Sequence, residues 1–289
     1  MKRIFYISCL IILTLLASCG NDAPVAEKSQ AQKWFEQAEQ ALPFPEQESS
    51  ALDYYSRAIN ADPEHIQALY KRALLFIKMD HPQRAVTDFT AALRVDPAFI
   101  DAYRERGKIR LESGEYREAL IDFNKVIELE PESAFGYSKR GETYMKLKDN
   151  QKAMEDFAKA LGIDPSISEV YTNIGKIYYE TGDYDRAMAS FNKAIKYDDT
   201  NYEAYQQRGT TYKKRAEHEK AIADFDKVLK LHVNYLHAFL GRGLSYYALE
   251  NYEKAIPDLN EFLKRYNRMN KLSNDIRGLI KKAGFEPEY

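Results

Sequence analysis

A proline that returns every 34 residues constrains this chain more than any other feature. Pro63, Pro97, Pro131 and Pro165 keep the spacing, and Asp199 and Val233 hold the next two places. A fixed period of this size predicts a stack of one repeated supersecondary unit. Each unit of such a stack touches only its neighbours, so the core grows along one axis and binding falls to a long surface. The 289-residue chain is 45% hydrophobic and 30% charged, a balance that fits a folded array. Its net charge of −2 supplies no bulk positive field for nucleic acid. Its two cysteines, Cys9 and Cys19, leave no disulfide framework and no Cys-rich metal site.

With the proline at position 32, seven units start at residues 32, 66, 100, 134, 168, 202 and 236. Position 4 is Phe35, Leu69, Tyr103, Tyr137, Tyr171, Tyr205 and Phe239. Position 8 is small from the second unit on: Ala73, Gly107, Gly141, Gly175, Gly209 and Gly243. Position 11 is aromatic in Phe76, Tyr144, Tyr178, Tyr212 and Tyr246, with Arg110 the exception. Position 20 is alanine in all seven units, and position 24 is Tyr55, Phe89, Phe123, Phe157, Phe191, Phe225 and Leu259. Small residues let two helices approach closely, while aromatics fill the space between hairpins.

This pattern resembles the tetratricopeptide repeat, in which large residues at 4, 11 and 24 interlock with small ones at 8, 20 and 27, across residues 32–269. The resemblance implies an all-α, right-handed superhelical solenoid of about seven helix hairpins, closed by a C-terminal capping helix within 270–289. The capping helix is expected over Ser273 to Ala283, with Ser273 as N-cap, Gly284 at its end and an apolar stripe of Ile276, Leu279 and Ile280. Three departures stand out. Glu39 replaces the small residue of the first unit, Pro43 and Pro45 cut its first helix short, and Pro257 falls inside the last second helix, where it should kink it.

Position 7 is arginine in five units (Arg72, Arg106, Arg140, Arg208, Arg242), and position 23 is aspartate in the same five (Asp88, Asp122, Asp156, Asp224, Asp258). Where the arginine is missing, at Ala38 and Ile174, the aspartate is missing too, at Tyr54 and Ser190. This both-or-neither pattern predicts an ion pair within each hairpin that staples its two helices. The competing reading is a ladder of arginines that holds an anionic ligand.

In the family, the first helix of each unit lines the concave face. Carried over, this gives Tyr70, Leu74 and Ile77 near the start, then Arg104, Lys108, Glu142, Lys146, Thr172, Lys176 and Tyr179, and finally Gln206, Lys213, Lys214, Leu240, Leu244 and Tyr247. The groove is expected to be charged in the middle and apolar toward both ends, with Leu240, Leu244 and Tyr247 alternatively covered by the C-terminal helix. The lysine-and-asparagine clamp of the chaperone-tail variant is not present: its positions hold Arg104 with Lys108, Ser138 with Glu142 and Thr172 with Lys176. The five histidines are scattered, and no phosphate loop, nucleophile motif or metal spacing occurs. The chain is therefore read as a non-enzyme with no cofactor.

At the N-terminus, Lys2 and Arg3 precede an apolar run over Ile4–Ala17, short for a membrane span of roughly 20 residues. The sequence then reads Leu16-Ala17-Ser18-Cys19, which resembles a bacterial lipobox. The resemblance implies a signal peptide over 1–18, lipid on Cys19 (diacylglycerol and a palmitate-type acyl chain) and a flexible tether over 19–31. The chain is thus expected to be a lipid-anchored scaffold of the bacterial cell envelope, on the outer or inner membrane and facing periplasm or surface. Its groove is expected to hold a protein or extended peptide. The alternatives are a glycan-binding surface lipoprotein and a self-associating structural lipoprotein.

Overall fold

The protein's structure, a computed structural model, describes residues 29–266 and 268–289. The expected signal peptide, Cys19 and the tether up to residue 28 lie outside the described residues. Among the described residues the regular elements are helices, with no strand. The chain divides after Pro97 into two compact units.

The first unit holds α1 (Gln30–Ala41), α2 (Glu48–Ala61), α3 (Ile66–Lys78) and α4 (Pro82–Val95). α1 stops two residues before Pro43, and Pro45 opens a short 3-10 turn through Gln47, as the two prolines predict. Glu39, at the position that is small elsewhere, accepts a hydrogen bond from the hydroxyl of the fully buried Tyr55. The exchange of glycine for glutamate is thus matched by an exchange of phenylalanine for tyrosine.

The second unit holds five hairpins and a last helix: α5 (Ile100–Glu112) with α6 (Tyr116–Leu129), α7 (Ala134–Lys146) with α8 (Asn150–Ile163), α9 (Ser168–Glu180) with α10 (Tyr184–Tyr197), α11 (Tyr202–Lys214) with α12 (His218–Leu231), α13 (Leu236–Ala248) with α14 (Tyr252–Tyr266), and α15 (Lys271–Lys282). The position-20 alanines Ala119, Ala153, Ala187, Ala221 and Ala255 are all 0% exposed, as are Phe123, Phe157, Phe191, Phe225 and Leu259. Gly175 shows why the small residue is needed: a Cβ built there would sit 2.4 Å from the Phe191 ring.

From the second hairpin on, each turns at position 15, which takes a left-handed backbone in Asp80, Gly114, Lys148, Gly182, Ala216 and Glu250. The next residue's N–H reaches back to the carbonyl at position 11, as in Glu115 to Arg110 and Asp183 to Tyr178, which caps the first helix. α15 keeps this phase. Gly284 has φ +87°, and Phe285 N–H bonds Ile280 O in the same register, so α15 stands in the place of an eighth first helix.

One expectation is corrected. The N-cap of α15 is Asn270, whose side chain accepts the Ser273 N–H while Ser273 Oγ accepts from the Asn270 backbone. Ser273 is therefore the third residue of a capping box, because Asn270 supplies the better-placed acceptor. Pro257 lies inside α14, which runs through it from Tyr252 to Tyr266. Both Pro257 and Glu253, whose carbonyl loses its donor to the ring, are exposed residues, so the proline sits on the solvent side of the helix.

Candidate functional site: the first-helix face

The arginines at position 7 are the first polar groups to place. Arg140 donates Nε and Nη2 to the two oxygens of Asp156, both at 2.7 Å, and Nη1 to Asn124 Oδ1 of the preceding hairpin at 2.7 Å. Arg208 repeats this with Asp224 and Asn192, and Arg242 with Asp258 and Asp226. In the first unit Arg72 does so with Asp88 and Ser56. Arg106 pairs with Asp122, which is 0% exposed and also takes Arg110 Nη1 at 2.8 Å.

These guanidiniums are spent on their own chain, which removes the anionic-ligand reading of the ladder. Burial pushes the Asp224 carboxyl up even with Arg208 against it. The pairs link one helix to the next through a fixed, two-pronged geometry, and a buried pair of this kind specifies position more than it adds net stability. The sequence shows the intra-hairpin half of each link. The second half, which Arg72, Arg140, Arg208 and Arg242 make to position 25 of the hairpin before, goes unseen because its partner alternates among Ser, Asn and Asp.

The first helices of the second unit lie side by side, α5 with α7, α7 with α9, α9 with α11 and α11 with α13. Lys108, Glu142 and Lys146 converge on one cavity of about 240 Å³, completed by Leu111, Glu112, Tyr116 and Lys139. Sequence reasoning missed Lys139 because position 6 is not among the groove positions of the family. Burial would lower Lys139, but Glu142 and Glu169, at 3.1 and 3.2 Å, hold it above the usual lysine value. Lys176 is tied to Glu203 at 2.6 Å, and Arg104 to Asp101 and Glu130. Tyr179 is half-buried with its ring against Tyr184. Lys213 is half-buried and Lys214 exposed. Burial pushes the Lys213 ammonium down, and Lys214 beside it adds to the shift.

Other expected groove residues are not open. Thr172 is 1% exposed; its hydroxyl donates to Ser168 O and accepts from Asn201 Nδ2 at 3.1 Å, in the seam between two hairpins. Gln206 is 8% exposed, and its Oε1 is buried without a donor. Thr172 is covered by the start of the neighbouring first helix through Asn201, a contact the family rule does not register. Leu240, Leu244 and Tyr247 pack on the cluster that Leu259, Phe262, Ile276 and Ile280 build between α14 and α15. The expected open apolar end is thus partly filled by α15, the alternative raised above. In the first unit Tyr70 and Leu74 are half-buried, Ile77 is exposed, and the Tyr70 ring tilts against Phe89.

Models of the tetratricopeptide repeat match residues 70–134, 136–167, 168–201, 190–223 and 207–269, well over half of the chain. The chain belongs to the tetratricopeptide-repeat family. Among solved structures it is similar to a tetratricopeptide repeat protein from Parabacteroides merdae ATCC 43184, at 20% identity and TM-score 0.70, covering 87% of this chain and 98% of that one. It is also similar to Pseudomonas aeruginosa pilF, at 18% identity and TM-score 0.58, over 72% of this chain and 94% of the other. A third is MamA 41-end from Desulfovibrio magneticus RS-1, at 22% identity and TM-score 0.56, over 61% and 99%. No curated protein sequence matches.

The tetratricopeptide fold makes the chain a protein–protein interaction scaffold, a class generally without catalysis of its own. Among the described residues no cluster of His, Cys, Asp and Glu has the makings of a metal site. None of the described helices is long and apolar enough to cross a membrane.

Proposed function

We propose that this tetratricopeptide protein is a lipid-anchored adaptor of the bacterial cell envelope that holds a protein or extended peptide segment on its first-helix face. The convergence of Lys108, Glu142 and Lys146 on one cavity carries the reading, because it puts opposite charges and the apolar Leu111 and Tyr116 within reach of one passing chain. Lipid on Cys19 would confine the scaffold to a membrane surface, where a raised effective concentration lets a weak contact suffice. The Leu16-Ala17-Ser18-Cys19 run supports the anchor. The glycan alternative has less support, since the rings of Tyr179 and Tyr247 already pack against Tyr184 and Tyr252.

In-cell crosslinking of the lipidated protein, with mass spectrometry of the linked peptides, tests the adaptor. A dominant protein partner linked through the first helices is expected; crosslinks only between copies, or only to second helices, would overturn it. Cys19→Ala should move the protein from the membrane to the soluble fraction and abolish palmitate labelling. A variant that stays membrane-bound would remove the anchor.

A further inference from the structure

Most charges on the first-helix face of the second unit are matched. Arg104 has Asp101 and Glu130, Lys108 has Glu105, Lys139 has Glu142 and Glu169, and Lys176 has Glu203. Three lysines stand apart. Among the described residues no carboxylate lies within ion-pair reach of Lys146 at the end of α7, or of Lys213 and Lys214 at the end of α11, and Glu112 is the one unpaired acid with them on this face. The charges named on this face balance in number, so the excess is positional: Lys213 and Lys214 form an acid-free cationic spot at the end of α11, and Lys146 lies beyond ion-pair reach of an acid at the end of α7. Lys213 is also half-buried, so its charge is incompletely hydrated and has no counter-charge.

The spacing of these lysines sets a ruler. α7, α9 and α11 are successive neighbours, so Lys146 and Lys213 are two helix spacings apart, about 20 Å at roughly 10 Å per packed pair. An extended chain covers that distance in about six residues at ~3.3 Å each. We infer that the occupant of this face is an extended polypeptide segment with two acidic side chains about six residues apart, one met by Lys146 and the other by Lys213 and Lys214. This rests on the scaffold reading and specifies its partner. It differs from a terminal-carboxylate clamp, because both anchors are side-chain sites and neither uses positions 5 and 9.

A random 15-residue peptide library displayed on phage, panned against the full chain and against a Lys146→Glu/Lys213→Glu/Lys214→Glu variant, tests it. The expected result is enrichment of Asp and Glu at i and about i+6, inverting to Lys and Arg on the variant. A synthetic peptide of the selected sequence should bind about tenfold more weakly to Lys213→Ala, as charge complementarity at a partly desolvated site implies. Peptides whose binding depends on these helices but which lack paired acids would overturn the acidic-segment inference and leave the scaffold reading standing. Peptides indifferent to the triple variant, or none at all, would overturn the inference; if crosslinks also avoid the first helices, the scaffold reading falls with it. The substituted positions are exposed or half-buried on helix surfaces, and unchanged far-UV circular dichroism confirms a folded variant.

Discussion

The fourth and fifth hairpins do the same job with opposite chemistry. In α7–α8 a bidentate Arg140–Asp156 pair joins the two helices, and Arg140 reaches back to Asn124. In α9–α10 the same places hold Ile174 and Ser190, and the reach-back position before them is Ala158. Ile174 packs on a cluster with Phe157, Val170 and Ile177, while Ser190 Oγ turns to its own helix at Arg186 O. Helix lengths are identical in the two hairpins, and both turn through a left-handed residue, Lys148 or Gly182. The backbone is therefore set by the small-and-aromatic interlock that both share. The charges are an interchangeable insert that must be complete or absent, since half of a buried pair costs more than none.

The largest effect should fall on what the hairpins share. Phe157→Ala and Phe191→Ala should each cost about 3–5 kcal/mol in denaturant unfolding, with little difference between them. A much smaller loss at Phe191 would mean that the apolar insert has taken over its role.

Next comes the half-pair. Asp156→Ala should cost about 3 kcal/mol or more by stranding Arg140, whereas Ser190→Ala should cost about 1 kcal/mol or less. Importing the fifth hairpin's solution as Arg140→Ile with Asp156→Ser should recover most of that loss, with a coupling energy of about 2 kcal/mol in the cycle. A double variant no better than Asp156→Ala would break the comparison.

A smaller effect separates the turns. Gly182→Ala should lose about 1 kcal/mol at φ +84°, while Ala216→Gly at φ +58° should gain up to about 1 kcal/mol. Shifts in the denaturation midpoint at constant slope would read both.

The smallest effect, visible only at high pH, sharpens the contrast with the first hairpin. Burial, then the hydrogen bond to Glu39, raises the Tyr55 hydroxyl well above the usual tyrosine range. The folded chain therefore keeps a proton that the unfolded chain releases near pH 10, so this contribution is intact below that pH and lost above it. Comparing Tyr55→Phe with the unaltered chain at pH 7 and 11 should show a shallower alkaline loss in the variant. Equal slopes would place the alkaline loss elsewhere.

Much of this was legible in the residues. The 34-residue phase, the alanines and aromatics of the core, and the matched Arg–Asp pairs are all repeated, and repetition within one chain acts as its own alignment. The candidate site was less legible because it is built from positions that vary. Lys108, Glu142 and Lys146 were found by the family's groove rule, yet Lys139 escaped it, and Thr172 and Gln206 obeyed it while being buried.

The sequence by itself determined the hairpins, their number and the internal pairing of their charges. Volume and period are local properties, written into each unit and read by its immediate neighbours. Only the tertiary structure decided which arginine nitrogen reaches the preceding hairpin, that α15 fills the apolar end beside Leu240 and Leu244, and which lysines remain without an acid. Those outcomes depend on which side chains are brought together across separate helices. A burial or a charge balance summed over several helices has no signature in any one of them.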